Sequence, residues 1–409
     1  MAVKPASPMA DRTAEPLEPD ADGARLVLDG RKASTGDIDV GRVILGLPLL
    51  RRTALAAARS GFSEIIVLAD TDDAQRFRGL LRGVPGATIE QSGAARSGAN
   101  RRTVYVPARI LGQREWLEPL ARRRIDDRVS MSDPCGIVLA GRAVAPDLLP
   151  GCSGVERAAE SLGLAPPPPV LATDRDVAEA ERRLLHSLRK DTDGFMARLV
   201  ERPLSLAITH RLAGTALSPN WMTVISVLVG LMGAPFFLSA APIWQTLGAL
   251  LFLAHSILDG CDGELARLKF LESRWGGVLD FWGDNVVHVA VFLCMGIGWG
   301  LAEGAGWPIL LGAVAAGATL ASAGFVYFHV MRRKDDRGPL YTSVSRDEEA
   351  PLSRLLDSLS RRDFIYLVVL LSFFGKASWF LAASAVGTPV FFALLVVAAA
   401  RARSGSERG

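Results

Sequence analysis

The chain of 409 residues has only four cysteines, and none belongs to a C-x-x-C pair or has a histidine nearby at ligand spacing. The sequence therefore predicts neither a disulfide framework nor a zinc site, and we expect reduced thiols in a protein that faces the cytosol. The formal net charge is only +3, and no dense Lys/Arg tract with interleaved aromatic residues occurs. The sequence accordingly predicts no nucleic-acid partner.

A signal peptide is also missing, because residues 1–24 are rich in Ala, Pro, Asp and Glu and lack a basic start followed by an apolar stretch. We expect this segment to be a disordered leader. Residues 404–409 are expected to form a disordered tail.

Residues 25–173 alternate short β-branched apolar runs with helical segments. The predicted buried strands are residues 26–28, 64–68, 103–106 and 136–139. Residues 48–60 have the spacing of a helix packed between two strands. This order predicts an α/β domain in which helices cover a parallel sheet.

Residues 174–215 are predicted to form a linker and a juxtamembrane helix. A charged helix is expected at 174–190, and the next helical segment places leucines among Arg198, Arg202 and Arg211. Such an amphipathic helix suits a membrane interface.

An all-α membrane domain is predicted over residues 216–403, where six apolar segments follow one another. They are residues 221–240, 242–266, 277–300, 307–331, 363–384 and 386–401. Several reach the roughly 20 residues that cross a hydrocarbon core of about 30 Å. We expect six transmembrane helices, with Lys376 in the fifth, where it either snorkels to the outer surface or faces the bundle interior.

Basic residues predict the orientation of this domain. Clusters of Lys and Arg lie at one end of the segments, whereas the loops 239–243, 300–307 and 384–388 contain neither. By the positive-inside rule, the α/β domain, both termini and the carboxylates described next face the cytoplasm. We therefore predict an integral protein of the cytoplasmic membrane.

Four aspartates stand where the second and third segments meet, namely Asp259, Asp262, Asp280 and Asp284. Steps of three and four residues place each pair on one face of its helix, and a turn at residues 271–274 makes the two helices antiparallel. Crowded carboxylates repel one another unless divalent cations supply the missing charge. Oxygen ligands favour Mg²⁺ or Mn²⁺, and we expect one or two ions, two being the favoured number.

Other residues of this stretch suit a phosphorylated ligand. Gly263, Ala266 and Gly276 are small, so they allow close helix packing and leave room for a bulky group. Arg267 is placed to neutralise a phosphate. Asp284, the last acid of the third segment, is expected to accept a proton from an attacking hydroxyl.

The pattern D-x-x-D-G-x-x-A-R, eight residues, then G-x-x-x-D-x-x-x-D resembles the signature of the CDP-alcohol phosphotransferases, also called CDP-alcohol phosphatidyltransferases. The resemblance covers about residues 200–400. It implies that the four aspartates hold the metal ions, that Asp280 and Asp284 are catalytic, and that Asp284 is the base. It also implies a CDP site lined by Asp259, Gly263, Ala266, Arg267 and Gly276.

The stretch Pro219-Asn220-Trp221-Met222-Thr223 is similar to the P-N-x-x-T element of the same family, which implies a nucleotide-side role for Asn220 and Thr223. The implied reaction is attack of an alcohol hydroxyl on the β-phosphorus of a CDP-alcohol, which forms a phosphodiester and releases CMP. The implied partners are a CDP-alcohol donor, a hydroxyl acceptor and the lipid bilayer, and the implied assembly is a homodimer of six-helix domains.

Residues 43–53, VILGLPLLRRT, followed by a helix and by residues 61–68, resemble the sugar-nucleotide cytidylyltransferase fold. Inositol-phosphate cytidylyltransferase/di-inositol-phosphate synthases fuse such a domain to the phosphotransferase. That family has a Gly-rich loop that cradles the triphosphate after its first strand, whereas residues 27–34 here contain one glycine. We therefore expect a degenerate nucleotidyltransferase-like domain with a regulatory or structural role.

Three interpretations of the whole chain stay open. The favoured one is a phosphotransferase in phospholipid or inositol-phosphodiester synthesis. The second is a bifunctional enzyme whose N-terminal domain also makes the CDP-alcohol from CTP. The third is a receptor or transporter that binds nucleotide or metal without catalysis. The sequence does not distinguish which two alcohols are joined.

Two further groups of polar residues belong to the membrane domain. The histidines have no partner at triad spacing and are expected to pack in helix interfaces. They are His210, His255, His288 and His329. The arginines around the fourth and fifth segments are expected to set topology, or to bind a phosphate of the acceptor alcohol. They are Arg332, Arg333, Arg361 and Arg362.

Overall fold

The structure, a computed structural model, describes residues 23–35, 38–91, 101–127, 129–142, 162, 164, 168–189, 194–331 and 364–406. The chain divides into two compact units, Met1–Ala180 and Glu181–Gly409. Most of the predicted leader lies outside the described residues. So do the four arginines proposed for topology or phosphate binding.

The N-terminal unit is built on a six-stranded sheet with the order β5-β4-β1-β6-β8-β7. In chain order the strands of the unit are β1 (Arg25–Asp29), β2 (Val43–Ile44), β3 (Leu47–Pro48), β4 (Glu64–Ala69), β5 (Ala87–Gln91), β6 (Thr103–Pro107), β7 (Ser130–Ser132) and β8 (Val138–Ala140). The first four strands of the sheet order run parallel, and β8 and β7 add antiparallel pairs at one edge. The predicted α/β architecture is confirmed, since unbroken apolar runs fill β1, β4 and β6, which are buried on both faces.

A buried arginine ties the β2–β3 hairpin of this unit to the helix that follows. The helices here are α1 (Lys32–Thr35), α2 (Leu49–Arg59), α3 (Ala74–Leu80), α4 (Arg114–Arg122) and the start of α5 (Asp174–Ser187). The hairpin turn residues Leu45 and Gly46 have φ of 44° and 84°, the left-handed conformation that a two-residue turn requires. Arg52 of α2 donates from Nη2 to the carbonyl oxygens of Ile44 and Leu45 at 2.9 and 3.1 Å. The VILGLPLLRRT stretch therefore forms one hairpin–helix motif.

The C-terminal unit is helical. Its helices are α6 (Arg202–Ala213), α7 (Pro219–Gly233), α8 (Pro242–Lys269), α9 (Arg274–Glu303), α10 (Trp307–Val326), α11 (Phe364–Phe373) and α12 (Ala377–Ser406). A π-helical stretch, Ala197–Glu201, leads into α6. Among the described residues, four helical stretches are long and apolar enough to cross a membrane, namely Pro219–Leu238, Arg274–Glu303, Trp307–His329 and Ala377–Ala400. The prediction of a helical membrane domain is confirmed to that extent.

The break between the last two helices comes earlier than predicted. Gly375 has φ of +65°, a left-handed conformation that ends α11, and the Lys376 amide donates to the Leu371 carbonyl oxygen at 2.8 Å. The predicted placement of Lys376 inside the fifth helix is therefore wrong, since it lies in the connection between α11 and α12. The last helix then runs unbroken past Pro389 to Ser406, into the predicted tail.

Glycines let α8 and α9 each approach α7 closely. A Cβ atom built on Gly230 would lie 2.6 Å from Val287 Cγ1, and one built on Gly248 would lie 2.9 Å from the Gly233 carbonyl oxygen. Backbones this close are typical of helix contacts in membrane proteins. The packing brings the first turn of α7, the last turns of α8 and the first turns of α9 to the same end of the bundle.

Candidate metal and phosphate site

A tight turn places the acidic ends of α8 and α9 side by side. α8 ends at Lys269, and Phe270 takes a left-handed conformation with φ of 56°. Ser273 then caps α9, since its Oγ accepts a hydrogen bond from the Gly276 amide at 3.0 Å. The predicted antiparallel connection is confirmed.

Three of the four predicted aspartates converge at this end. One carboxylate oxygen from each of Asp259, Asp280 and Asp284 lies within 4.8 Å of the others. Asp280 Oδ1 is buried and has no hydrogen-bond partner among the described residues. Carboxylates that face one another in a buried place fit a divalent cation, and an all-oxygen donor set fits Mg²⁺ or Mn²⁺.

The fourth aspartate is held by α7. Asp262 is buried, and its Oδ2 accepts a hydrogen bond from the hydroxyl of Thr223, which is buried as well. Asp262 is also close enough to Asp259 and Asp284 for electrostatic interaction. The structure thus places Thr223 against a carboxylate, and its predicted contact with nucleotide stays a prediction.

The remaining predicted residues surround this cluster. Asn220 is exposed in the first turn of α7, and a Cβ atom built on Gly276 would lie 3.0 Å from its Oδ1. A Cβ atom built on Gly263 would lie 3.3 Å from Nη1 of Arg267. Ala266 and Arg267 are both half-buried. The small residues therefore leave space beside an amide and a guanidinium group, as binding of a phosphorylated ligand requires.

The histidine nearest the cluster was missed by the sequence analysis. His255 is buried, with Nε2 3.4 Å from Asp284 Oδ1 and Nδ1 2.9 Å from the Ser226 carbonyl oxygen. It was expected only to pack, and it does stack on Phe252 with ring centroids 6.2 Å apart. The signal was its position four residues before Asp259, which puts both side chains on one face of α8.

The C-terminal end of β1 holds a second group of polar residues, in the N-terminal unit. Asp29 is 1% exposed and accepts hydrogen bonds from Nε and Nη2 of Arg31, both at 2.8 Å, and from the Tyr105 hydroxyl. Nucleotides bind beyond the carboxyl ends of parallel strands in open α/β sheets. At this strand end the carboxylate is already bound by the protein itself.

Comparison with known proteins identifies the segment that carries the aspartates. Residues 216–345 match the sequence model of the CDP-alcohol phosphatidyltransferase family. The bifunctional IPC transferase and DIPP synthase of Archaeoglobus fulgidus is 39% identical over 116 residues, 28% of this chain and 23% of that protein. The protein of the same name from Rubrobacter xylanophilus is 39% identical over 153 residues, 36% of this chain and 34% of that protein.

A shorter relative has a related name. The archaetidylinositol phosphate synthase of Pyrococcus horikoshii is 30% identical over 100 residues, which are 24% of this chain and 50% of that protein. The matched part of the chain therefore spans half or less of the length of these relatives. Within the matched part, the resemblance predicted from the aspartate pattern is confirmed.

Proposed function

We propose that this chain, whose C-terminal half contains a CDP-alcohol phosphatidyltransferase domain, transfers a substituted phosphate group from a CDP-alcohol to the hydroxyl of an acceptor alcohol at a membrane. The reaction forms a phosphodiester and releases CMP. The observation that carries the proposal is the convergence of the Asp259, Asp280 and Asp284 carboxylates within 4.8 Å, inside the segment that matches the family.

Asp259, Asp262, Asp280 and Asp284 would hold one or two Mg²⁺ or Mn²⁺ ions. When bound, these ions stabilise the negative charge that develops on the phosphoryl oxygens. Thr223 orients Asp262 through its hydroxyl, and such supporting contacts keep a ligand in the geometry that a metal needs.

The donor is bound beside the aspartates by residues of three helices. They are Asn220, Asp259, Gly263, Ala266, Arg267 and Gly276, whereas Thr223 is assigned to Asp262. Arg267 neutralises phosphate charge, because a guanidinium group donates paired hydrogen bonds to phosphate oxygens. The glycines and the alanine leave the space that the nucleotide fills.

Asp284 accepts the proton of the acceptor hydroxyl. The acceptor oxygen forms a bond to the β-phosphorus as the bond from that phosphorus to the CMP oxygen breaks. CMP leaves with the bonding electron pair, and Asp280 lies close enough to act at the same centre. His255, whose Nε2 lies 3.4 Å from Asp284 Oδ1, contacts the Ser226 carbonyl oxygen of α7 through Nδ1.

Inositol chemistry is the substrate class that the relatives favour. The name of the Pyrococcus horikoshii relative contains inositol phosphate, and that protein matches this chain at 30% identity. We therefore place this chain in phospholipid or inositol-phosphodiester synthesis, with the donor alcohol to be found by experiment.

The membrane arrangement is part of the proposal. Besides the four candidate spans, α8 and the short apolar helix α11 complete six crossings. A Cβ atom built on Gly375 would lie 2.9 Å from Pro242, so the α11–α12 connection and the start of α8 share one end of the bundle. We assign that end to the outside, and the aspartate end, both termini and the α/β unit to the cytoplasm. A homodimer is proposed from the family resemblance alone.

Labelling tests this orientation. Ala240→Cys should react with a membrane-impermeant maleimide in intact cells, and Ala216→Cys only after lysis. Equal labelling of both positions would contradict the assignment.

We propose that the N-terminal unit makes no CDP-alcohol. The support is the bidentate Asp29–Arg31 pair at the end of β1, where the fold family would have its triphosphate loop. The relatives named bifunctional favour the alternative that it does. Incubating the Asp280→Asn full chain with CTP, Mg²⁺ and inositol phosphate separates the two, since only the alternative predicts pyrophosphate release.

The main test is a substrate screen. Purified full-length protein in lipid vesicles with Mn²⁺ receives CDP-diacylglycerol or CDP-inositol together with a panel of acceptor alcohols. The proposal predicts CMP release that requires both a donor and an acceptor. A membrane protein that only binds nucleotide would leave every donor intact.

A further inference from the structure

We propose that Glu264 is a positioning residue for phosphate transfer, which fixes α6 against α8 and thereby sets the place of Ala266 and Arg267 at the donor site. The inference rests on the function proposed above. Glu264 occupies a free position of the aspartate pattern, in the segment D-G-E-L-A-R, and it is absent from the ligand set assigned above.

Glu264 is fully buried and is held by three side chains of α6. Its Oε1 accepts hydrogen bonds from Arg202 Nη1 at 2.9 Å and from Ser205 Oγ at 2.7 Å. Its Oε2 accepts one from Thr209 Oγ1 at 2.7 Å. A carboxylate inside a protein is tolerated only with such partners, so this contact depends on α6 keeping one position.

The α6 side of the contact is a polar stripe. Arg202, Ser205 and Thr209 follow at steps of three and four residues, which places them on one face of the helix. Apolar packing contributes as well, since Ile208 and Leu212 of α6 pack against the buried cluster that contains Leu265 of α8. Hydrogen bonds are directional, so docking through this stripe fixes α6 in one register, which apolar packing alone would not do.

The α8 side of the contact ends at the donor site. Glu264 lies on the last two turns of α8, before the helix stops at Lys269, and Ala266 and Arg267 belong to the same turns. About two turns earlier on the same face of α8, the Ser256 hydroxyl donates a hydrogen bond to Glu201 Oε2 at 3.3 Å. The metal face of α8 has its own support, because Thr223 of α7 holds Asp262. Release of α6 should therefore disturb donor binding more than metal binding.

The first experiment separates these two effects. Full-length Glu264→Ala, Glu264→Gln and Thr209→Val are compared with the wild type for binding of CDP and of Mn²⁺, and for KM and kcat with CDP-diacylglycerol. We expect Glu264→Ala to weaken CDP binding about tenfold or more and to raise KM, with Mn²⁺ affinity changed by less than about threefold. Glu264→Gln should recover most of the loss, since an amide can still pair with all three neighbours.

Thr209→Val is the milder variant, needed if Glu264→Ala fails to fold. It should weaken CDP binding about threefold. Thr319→Val is its matched control, because that hydroxyl donates only to the Ala315 carbonyl oxygen of its own helix at 2.8 Å. Unchanged CDP binding in Thr209→Val, or an equal loss of CDP and Mn²⁺ affinity in Thr209→Val or Glu264→Ala, would overturn the proposal.

A cross-link provides the second experiment. A Cβ atom built on Gly260 would lie 3.7 Å from Ser205 Cβ, within the spacing of a disulfide. Ser205→Cys and Gly260→Cys are combined in a Cys261→Ala background, with and without Glu264→Ala. Oxidation should restore CDP binding to the Glu264→Ala protein, and a reductant should reverse the effect.

The outcomes distinguish the inference from the proposed function. Cross-linking that forms equally fast with and without Glu264→Ala, or that fails to restore CDP binding, overturns the positioning role. A wild-type protein that neither binds CDP nor releases CMP defeats the proposed function, while the rate of cross-linking still reports whether Glu264 holds α6.

Discussion

At the end of β1, Asp29 is buried against the guanidinium group of Arg31, whereas three aspartates of α8 and α9 face one another within 4.8 Å. Both places bury carboxylates, and they differ in what balances the charge. The charge of a carboxylate with a guanidinium partner is balanced by the protein itself, and breaking that pair leaves a buried charge without its partner. Carboxylates gathered against one another repel unless a cation lies among them. The contrast separates a structural acidic group from a ligand site.

The largest expected effect comes from removing one acid of the cluster. Asp280→Asn should lower CMP release by at least about a hundredfold, because it removes a metal ligand next to the base. In the presence of a chelator the same change should raise the melting temperature, because it relieves repulsion among carboxylates. Activity and melting are measured on the same purified preparation.

Asp29→Asn is the matching change at the end of β1. It should lower the melting temperature of the N-terminal unit, because it breaks the pair with Arg31, and it should leave CMP release intact. Glu303→Gln, near the far end of α9, is the control for both. A chelated Asp280→Asn protein that melts below the wild type would remove the distinction between the two places.

Metal removal is expected to have an effect as large as the loss of Asp280. EDTA should abolish CMP release, and Mn²⁺ at about a hundred times its Kd should stabilise the C-terminal unit by about 2.7 kcal/mol. Hydrogen exchange should then slow in α8 and α9, while the β1, β4 and β6 amides stay unchanged. Equal slowing in both units would show that Mn²⁺ does not bind at the aspartate cluster.

An intermediate effect is expected from the residue that supports Asp262. Thr223→Val removes the hydroxyl that binds this carboxylate, and we expect Mn²⁺ affinity or kcat to fall about 10- to 100-fold. A nucleotide contact, as the sequence predicted for Thr223, would instead raise KM for the donor with kcat and Mn²⁺ affinity unchanged. Thr319→Val, which alters a hydroxyl within α10, should change none of them.

The sequence predicted the aspartates of the ligand site better than the residues that hold them in place. Aspartates at steps of three and four residues around a short turn are a local pattern, and helix geometry alone brings them together. The contacts of Thr223 with Asp262 and of Glu264 with α6 join residues 39 and 55 to 62 positions apart. Such contacts depend on how helices pack, which a periodic pattern does not specify.

The same limit explains the errors in the helices. Apolar composition is continuous from α11 into α12, so hydropathy placed the break too late, and the left-handed φ of Gly375 decides where the turn lies. In the α/β unit, buried strands were recognised from their β-branched runs. The strand predicted at residues 136–139 is β8, but β7 and the antiparallel pairing of this edge were not predicted, since a strand of three residues carries little pattern.

The smallest expected effect tests the structural acidic group. Burial raises the pKa of the Tyr105 hydroxyl above its usual range, and the adjacent Asp29 carboxylate raises it further. A pKa raised by folding gives a contribution to stability that is complete below about pH 10 and is lost as the pH rises above it. Tyr105→Phe removes one hydrogen bond to Asp29 and should lower the free energy of unfolding of the N-terminal unit by about 1 kcal/mol at neutral pH.

Urea unfolding of both proteins from roughly pH 7 to pH 11, followed by circular dichroism of the sheet, measures this difference. We expect the two unfolding free energies to converge above about pH 10. There Tyr105 of the unfolded wild type ionises while that of the folded protein stays protonated, so the wild type loses stability and Tyr105→Phe does not. CMP release at neutral pH should be the same in both proteins. If the unfolding free energies of the two proteins differ by the same amount at every pH, the Tyr105 proton does not stabilise Asp29. The contrast between a hydrogen-bonded carboxylate at the end of β1 and the aspartate cluster would then be weakened.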